Sequence, residues 1–514
     1  MPPAADPNVT RRLVHLLLIT LAVGSAAGRV LSTQRVYEPK MYFPPGTADD
    51  PTSAKRVWPP KYEPAMPTFS SNDRSRWATV RSLADDGTYI VGHRDPALST
   101  SENKYGDSGI VFEAGWGTVD KVLDPDKLDF YSSKPPLLST LVAGEYWTLK
   151  KTCGWTLKDR PQEVVRTVLL TINVLPLALY LWLLARLLDR HGVSDWASFF
   201  LVGTAAFGTL VTPFLITFNN HTLGTFSVLI AVYAALRIWS GEDRNGLHVL
   251  AGFSAGFAVT NELPAAAFAA GLFVLLCWRS PRKTLLWLVP AAALPVVALM
   301  FTNYLAMGSW FDLAYSKFGG PWYEYEGSHW LNVKNNVRHS IDWADKFEGK
   351  GMYALNLLVG HRGIFSLTPV FVLTVVGLVM GMRRKSLSRE RSANADPALP
   401  ERSRLNEDDS CPSLPRVLFP FTLVVSLIVV GYYVMKSVNY GGMSSGPRWL
   451  MWLTPLWLIT ALPAVEWLGA RRWGRGVALV LLALSVLSAS YPAWNPWTHP
   501  WIYNFLDAQG WVPY

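Results

Sequence analysis

The chain has 514 residues, half of them hydrophobic, with 23 Trp and a positive mean hydropathy. This composition excludes an ordinary water-soluble enzyme and describes a polytopic membrane protein. The formal charge of +9 falls largely in short gaps between apolar runs, where it faces anionic lipid, so it argues for topology and not for nucleic acid.

The first apolar run, residues 13–31, follows Arg11 and Arg12 and reads as a signal anchor in preference to a cleaved signal ending at residues 25–28. Residues 1–31 are thus a cytoplasmic tip and first transmembrane helix, and residues 32–165 form a long outer loop. Further apolar runs cover 166–188, 196–215, 222–239, 247–260, 263–278 and 285–304, expected as transmembrane helices 2–7 within 166–304. Another outer loop (305–363), an eighth helix (364–382), a cytoplasmic linker (383–416), three more helices (417–490) and an outer tail (491–514) complete the order. The expected fold class is therefore an all-α polytopic membrane protein of about eleven transmembrane helices, with juxtamembrane helices in the first outer loop.

Charge orients these runs. Arg186 and Arg190, Arg237 and Arg244, Arg279 with Arg282 and Lys283, residues 383–404, and Arg471, Arg472 and Arg475 are all cytoplasmic by the positive-inside rule. The gaps at 237–246 and 279–283 share a side only if residues 247–278 cross twice, as a hairpin of two short helices. Asn261, Glu262 and Pro264 supply its break, since a glutamate is costly in lipid and proline interrupts the helical hydrogen bonds. Cys153 falls on the outer side and Cys277 and Cys411 at or beyond the inner one, which leaves no intramolecular disulfide. No metal-ligand spacing, glycine-rich phosphate loop or internal repeat is present, and the linker is too short and polar for a nucleotide-binding domain.

Candidate chemistry gathers in the outer segments. Residues 71–84 read as a short surface helix, with Ser71, Asn72 and Asp73 as capping types and Trp77, Val80, Leu83 and Ala84 on one face; Asp85 and Asp86 read as turn residues before Gly87. Asp73 projects from the first turn, where backbone N–H groups favour a carboxylate, and it suits either a cap or a catalytic acid. Lys134 precedes Pro135 and Pro136, which open a second interfacial helix, and it suits an anionic head group or simple snorkelling. The turn Asn439-Tyr440-Gly441-Gly442-Met443-Ser444-Ser445-Gly446-Pro447 delivers Arg448, whose fork matches phosphate oxygens. His361 and Arg362 offer a weaker basic pair at the same face. Trp310, Trp322, Tyr323, Tyr325, Trp330 and Trp343, like Trp494, Trp497, Trp501 and Trp511 in the tail, suit an interfacial belt better than sugar stacking.

On these residues the chain resembles the GT-C superfamily of multi-pass glycosyltransferases, and within it the lipid A aminoarabinose transferase and protein O-mannosyltransferase group. The likeness rests on Asn72-Asp73, Arg81, Gly87, Lys134-Pro135-Pro136-Leu137, the turn from Gly441 to Arg448, and residues 360–369. It departs from that group in having Asn72 where the pair begins with aspartate, and Asn219-Asn220-His221 where a second outer acid is expected.

The resemblance implies inverting transfer of a sugar from a polyprenyl-phosphate donor to a lipid, glycan or protein acceptor on the extracytoplasmic face of the cell membrane. Asp73 would be the general base, Lys134 and Arg448 would bind the donor phosphate, and Asn72, His221, Glu262 and Arg362 would orient substrate. No cofactor is required, and a divalent metal is left open. A multi-pass transporter and a catalytically inactive lipid-carrier-binding relative are the competing expectations.

Overall fold

The computed structural model describes residues 7–34, 66–331, 348–393, 414–437 and 439–512. Most of the expected linker, together with Trp343 and Cys411, lies outside the described residues. The helices run α1 (Pro7–Ser32), α2 (Ser71–Asp85), α3 (Pro136–Cys153), α4 (Pro161–Arg190), α5 (Asp195–Phe207), α6 (His221–Trp239), α7 (Asn245–Asn261), α8 (Leu263–Arg279), α9 (Pro281–Met307), α10 (Lys350–Leu358), α11 (Val372–Ala393), α12 (Leu418–Lys436), α13 (Arg448–Thr460), α14 (Leu462–Gly469), α15 (Arg472–Ser490) and α16 (Trp501–Ala508).

Among the described residues six helices are long and apolar enough to cross a membrane: Val9–Ser32 within α1, and α4, α6, α9, α12 and α15. A seventh follows if α13 and α14, bent by 45°, form one span. This is fewer than the eleven expected. The difference lies in α5, α7, α8 and the apolar stretch Pro369–Arg383, which are helical but short. Local breakers account for it: the run 196–215 is cut at Gly208 and again near Pro213, and 364–382 is cut at Thr368-Pro369.

The break expected within 247–278 is present. Glu262 takes extended backbone (φ −134°, ψ 97°) between α7 and α8, with Pro264 in the first turn beyond it, where its missing N–H is no loss. At the far end of the hairpin Asp243, just before α7, binds Lys283 at 3.0 Å and Ser280 at 3.1 Å, so the chain returns to the end from which it left. Other basic clusters meet at that same end. Arg11 binds Asp189 and Asp195, Arg190 and Arg237 share Glu242, and Arg475 stacks on Trp196.

Close backbone approach ties the hairpin to α9. A Cβ at Gly252 would stand 2.2 Å from the Leu288 carbonyl oxygen, and one at Gly256 would stand 2.3 Å from that of Ala292. Two glycines four apart thus let α7 lie directly against the backbone of α9, as small residues do between helices in lipid.

The outer loop is not wholly helical, which corrects the all-α expectation. Strands β1 (Gly92–Arg94), β2 (Asp107–Ser108), β3 (Lys121–Leu123) and β4 (Asp129–Ser132) form an antiparallel sheet in the order β2-β1-β4-β3. With this sheet, α3 and the 214–220 loop around it, α2 is buried along both sides, from Asn72 and Asp73 to Ser82, and is not the surface helix its pattern suggested. Asp85 is likewise no mere turn residue. As the last residue of α2 it accepts from the Tyr146 hydroxyl (3.1 Å) and Lys150 (2.7 Å), tying α2 to α3. Helix α3 opens on Pro136 and leaves Leu141 and Trp147 exposed, as an interfacial helix would.

Candidate functional site

Helix α2 starts where Ser70 caps it, its hydroxyl accepting the Asp73 N–H at 3.5 Å. Asp73 is 1% exposed, and its two carboxylate oxygens accept separate backbone N–H groups: Oδ2 from Phe69 at 3.0 Å and Oδ1 from Phe218 at 3.1 Å. Burial raises its pKa to about 6, although those two amides and the nearby Arg74 and Arg76 oppose the rise. The side chain therefore fastens the start of α2 to the loop before α6. Each of its carboxylate oxygens thus has a backbone partner.

One helical turn on, Arg76 is 3% exposed and crosses the space between segments. It donates to the Asn72 carbonyl oxygen at 3.1 Å, to Asn72 Oδ1 and to Asn220 Oδ1. Burial, then the neighbouring Arg448, lower its pKa to about 10, which leaves it charged at neutral pH. Asn220 turns its amide the other way, donating to the Asn261 carbonyl at 2.6 Å and to Glu262 Oε1 at 2.9 Å. Glu262 also accepts from His221 Nδ1. His221 Nε2 faces Arg448 Nη1 at 2.8 Å. Because the guanidinium only donates, Nε2 must accept and Nδ1 must carry the proton, which fixes a neutral imidazole.

Glu262 reaches this position across Gly224, where a Cβ would lie 3.0 Å from its Cγ. Arg448 is held from the other side by the Gly441 carbonyl, 3.2 Å from Nε and 3.0 Å from Nη2, and lies over Trp497 at 5.1 Å. Gly441 has φ +92° and Gly442 φ +67°, a backbone that side-chain-bearing residues rarely adopt, so the expected glycine-rich turn is conformationally required.

The last part of the site is Asp120, on the segment leading into β3. Its Oδ1 accepts from Lys134 Nζ at 2.7 Å, with both side chains 18% exposed. Burial works to raise the Asp120 pKa, but Lys134, Arg448 and Arg76 outweigh it and hold the carboxyl below the usual range. Lys134 is lowered by burial, against the pull of Asp120. Asp120 is positioned by its backbone: its carbonyl accepts from Ser75 Oγ at 2.6 Å, and its N–H donates to Thr118 Oγ1 at 3.0 Å.

His221, Glu262 and Arg448 are thus in contact, Lys134 is near enough to act on His221 electrostatically, and Asn72 orients Arg76. Arg362 is not among them. Fully buried, it donates to the carbonyls of Gly442 (3.2 Å) and Ser444 (3.1 Å) and pairs with His499 Nδ1 at 2.8 Å, so it supports the turn that carries Arg448. Arg76, Asp120 and Asn220 were not anticipated. Arg76 stands four residues after Asn72, a spacing that puts both on one helix face and was the one available hint. Among the described residues no group of three or more His, Cys, Asp or Glu is placed to hold a metal ion.

Fold and site together describe a largely helical protein with six helices long and apolar enough to cross a membrane, and a mixed-charge centre at the helix ends opposite the basic ion-pair clusters. No protein-family model matches the sequence, and no curated protein matches it. Its chain path is similar to solved structures of the oligosaccharyltransferase AglB of Archaeoglobus fulgidus. A form tethered to an acceptor peptide is 13% identical, with a TM-score of 0.42, over 97% of this chain and 57% of that one. The apo form gives 12% and 0.42 over 97% and 58%, and a complex with an inhibitory peptide and a dolichol-phosphate gives 13% and 0.37 over 97% and 56%. The chain therefore spans little more than half the length of these structures.

Proposed function

We propose that this chain is an integral membrane glycosyltransferase that moves a sugar from a polyprenyl-phosphate donor to an acceptor hydroxyl on the extracytoplasmic face, with inversion. The observation that carries this reading is the partly exposed carboxylate of Asp120 paired with Lys134, with Arg76 and Arg448 near enough to act on it electrostatically. One such carboxylate in the field of three cations favours a further anionic group, and guanidiniums with an ammonium suit phosphate oxygens. A phosphate arriving at Lys134 competes with Asp120 for the ammonium and frees the carboxylate. Asp120 then takes the proton of the acceptor hydroxyl as its oxygen bonds to the anomeric carbon. The bond from that carbon to the phosphate oxygen breaks, and its electron pair departs with the phosphate, steadied by the cations.

Asp73, first expected as the base, is assigned a positioning role here, as are Asn72 and Arg362. His221 and Glu262 orient Arg448. An apolar cleft between α6, α8 and the start of α12, lined by Leu236, Leu276 and Phe421 among others, lies about 16–27 Å along α6 from the charged cluster. A polyprenyl tail of that reach would occupy it.

The test is transfer from polyprenyl-phosphate-linked sugars by the full chain in membrane vesicles. Asp120→Asn is expected to slow transfer about 10²- to 10⁴-fold while retaining binding of the phosphate lipid. Undiminished transfer would remove Asp120 from the chemistry, and sugar transport without transfer would favour a carrier.

A further inference from the structure

The outer segment that follows α9 grips the chain on both sides of Asp120. The Trp330 indole N–H donates to the Val119 carbonyl at 2.9 Å, just before that residue, and the Leu123 N–H donates to the Trp322 carbonyl at 3.0 Å, shortly after it. Between these two bonds Tyr323 is buried in one apolar cluster with Tyr89, Val122 and Tyr131, and Trp322 and Trp330 pack against it. Trp330 is itself held edge-on by Phe318 at 5.4 Å and by Tyr323 at 6.4 Å. Trp322, Tyr323 and Trp330, expected at an interfacial belt, thus pack against β3 and β4. Trp310 of the same segment is 43% exposed and stacks on Tyr304 of α9.

The Val119 carbonyl and the Asp120 N–H belong to one peptide group, which is planar and turns as a unit. Its N–H end is bonded to Thr118 Oγ1 (3.0 Å), whose hydroxyl donates to the Ser71 carbonyl (2.8 Å), and its C=O end is bonded to Trp330. The next peptide is held as well, since the Asp120 carbonyl accepts from Ser75 Oγ at 2.6 Å and from the Ser133 N–H at 3.1 Å. With both flanking peptides fixed, the direction in which the Asp120 side chain leaves the backbone is fixed too. That direction brings Oδ1 to Lys134 at 2.7 Å.

Resting on the assignment of Asp120 as the base, we propose that Trp330 is a positioning residue for sugar transfer: its indole N–H locks the peptide before Asp120 and so aims the carboxylate at Lys134 and the incoming hydroxyl. A misaimed base slows the chemical step steeply, while the cations that bind donor phosphate stay where they are. Asp120 is faced by Lys134 just before α3, Arg76 on α2, Arg448 at the start of α13, Lys121 beside it and the Tyr323 phenol from the outer segment, and a change at Trp330 alters none of these groups. Burial works to raise the Asp120 pKa, and Lys134 is foremost among the cations that outweigh it, so a carboxylate that drifts from Lys134 takes up a proton at higher pH.

The experiment follows label from mannosyl and glucosyl polyprenyl phosphates into lipid, glycan and protein fractions, using the full chain in membrane vesicles from acidic to neutral pH. Trp330→Phe keeps a ring and removes the N–H. Trp330→His also loses the larger ring, but its Nε2–H lies at the same place in the five-membered ring as the indole N–H. Trp330→Phe is expected to lower kcat about 10- to 100-fold with KM for the donor unchanged, and to move the acid limb of the rate profile to higher pH. Trp330→His should recover part of both, and Trp310→Phe should change neither. A Trp330→Phe chain that matches wild type overturns the proposal. So does an equal fall in both Trp330 variants with the acid limb unmoved, or failure of both to fold, since either marks packing as the indole's role. Absence of transfer by the wild-type chain, or undiminished transfer by Asp120→Asn, instead overturns the reading beneath it.

Discussion

Arg448 Nη1 stands 2.8 Å from His221 Nε2, a pairing that holds only while the imidazole is neutral and keeps its proton on the side of Glu262. The arginine that would meet donor phosphate is therefore aimed by a histidine that a buried glutamate has set in one tautomer. Replacing His221 by Phe removes an acceptor from Arg448 and a donor from Glu262. A lost hydrogen bond to a charged group contributes about 1.5–3 kcal/mol, so thermal unfolding of the purified chain should begin several degrees lower. His221→Gln, which can still donate and accept, should recover part of that loss.

Asp73 gives a pH signature. Its folded pKa, about 6, lies above the ordinary 3.8, so the folded chain holds this proton more tightly than the unfolded one. The associated stability is complete below about pH 4 and is lost as pH rises through 6. That rise corresponds to about 3 kcal/mol. Relative to Asp73→Asn, the wild-type chain should lose stability over this window, as measured by unfolding at pH 4, 5, 6 and 7. Parallel curves for the two chains would refute the assignment.

Gly224 sets where Glu262 lies. In Gly224→Ala the new Cβ meets the Glu262 Cγ at 3.0 Å, close enough to push a flexible side chain aside by a few tenths of an ångström. Transfer activity is expected to fall well before the fold is lost, with Gly224→Val more severe. Activity and melting temperature measured on both variants separate the two effects.

Gly252 and Gly256 offer the opposite case, because their neighbours are backbone carbonyls that cannot step aside. Leucine at either position must part α7 from α9. Overpacking of this kind costs about 1–3 kcal/mol or more, and it should appear as reduced yield of folded protein and a lower melting temperature.

Much of this arrangement is legible in the residue order. The apolar runs are built on helices, the hairpin breaks between Asn261 and Pro264, and α3 starts at its paired prolines, while α2 starts at Ser71 with Ser70, one residue before the capping types read from the sequence, as its cap. Lys134, His221, Glu262 and Arg448 meet because interruptions between apolar segments gather at one end. What escaped the sequence depends on packing. Strands of two to four residues are too short to show alternation, so the sheet over α2 left no signal. Without that sheet α2 reads as a surface helix, Arg76 as a solvated residue, and Asp73 as accessible. Asp120 lies in a Gly-Thr-Val-Asp stretch with no periodicity, and only the pairing of β3 with β4 brings it to Lys134.

The turn bearing Arg448 leans on residues far ahead of it in the order of synthesis. The Ser445 N–H rests on the Pro496 carbonyl at 2.9 Å, Trp497 lies beneath the Arg448 guanidinium, and His499 steadies Arg362 under the same turn. A growing polypeptide that has inserted α13 but not yet delivered this stretch still has Gly441 and His221 to hold Arg448, but lacks Trp497 beneath the guanidinium and Pro496 and His499 against the turn. The last support of this turn thus arrives late in synthesis, so on the proposed reading a nascent chain stalled short of Pro496 would hold its helices but transfer sugar poorly.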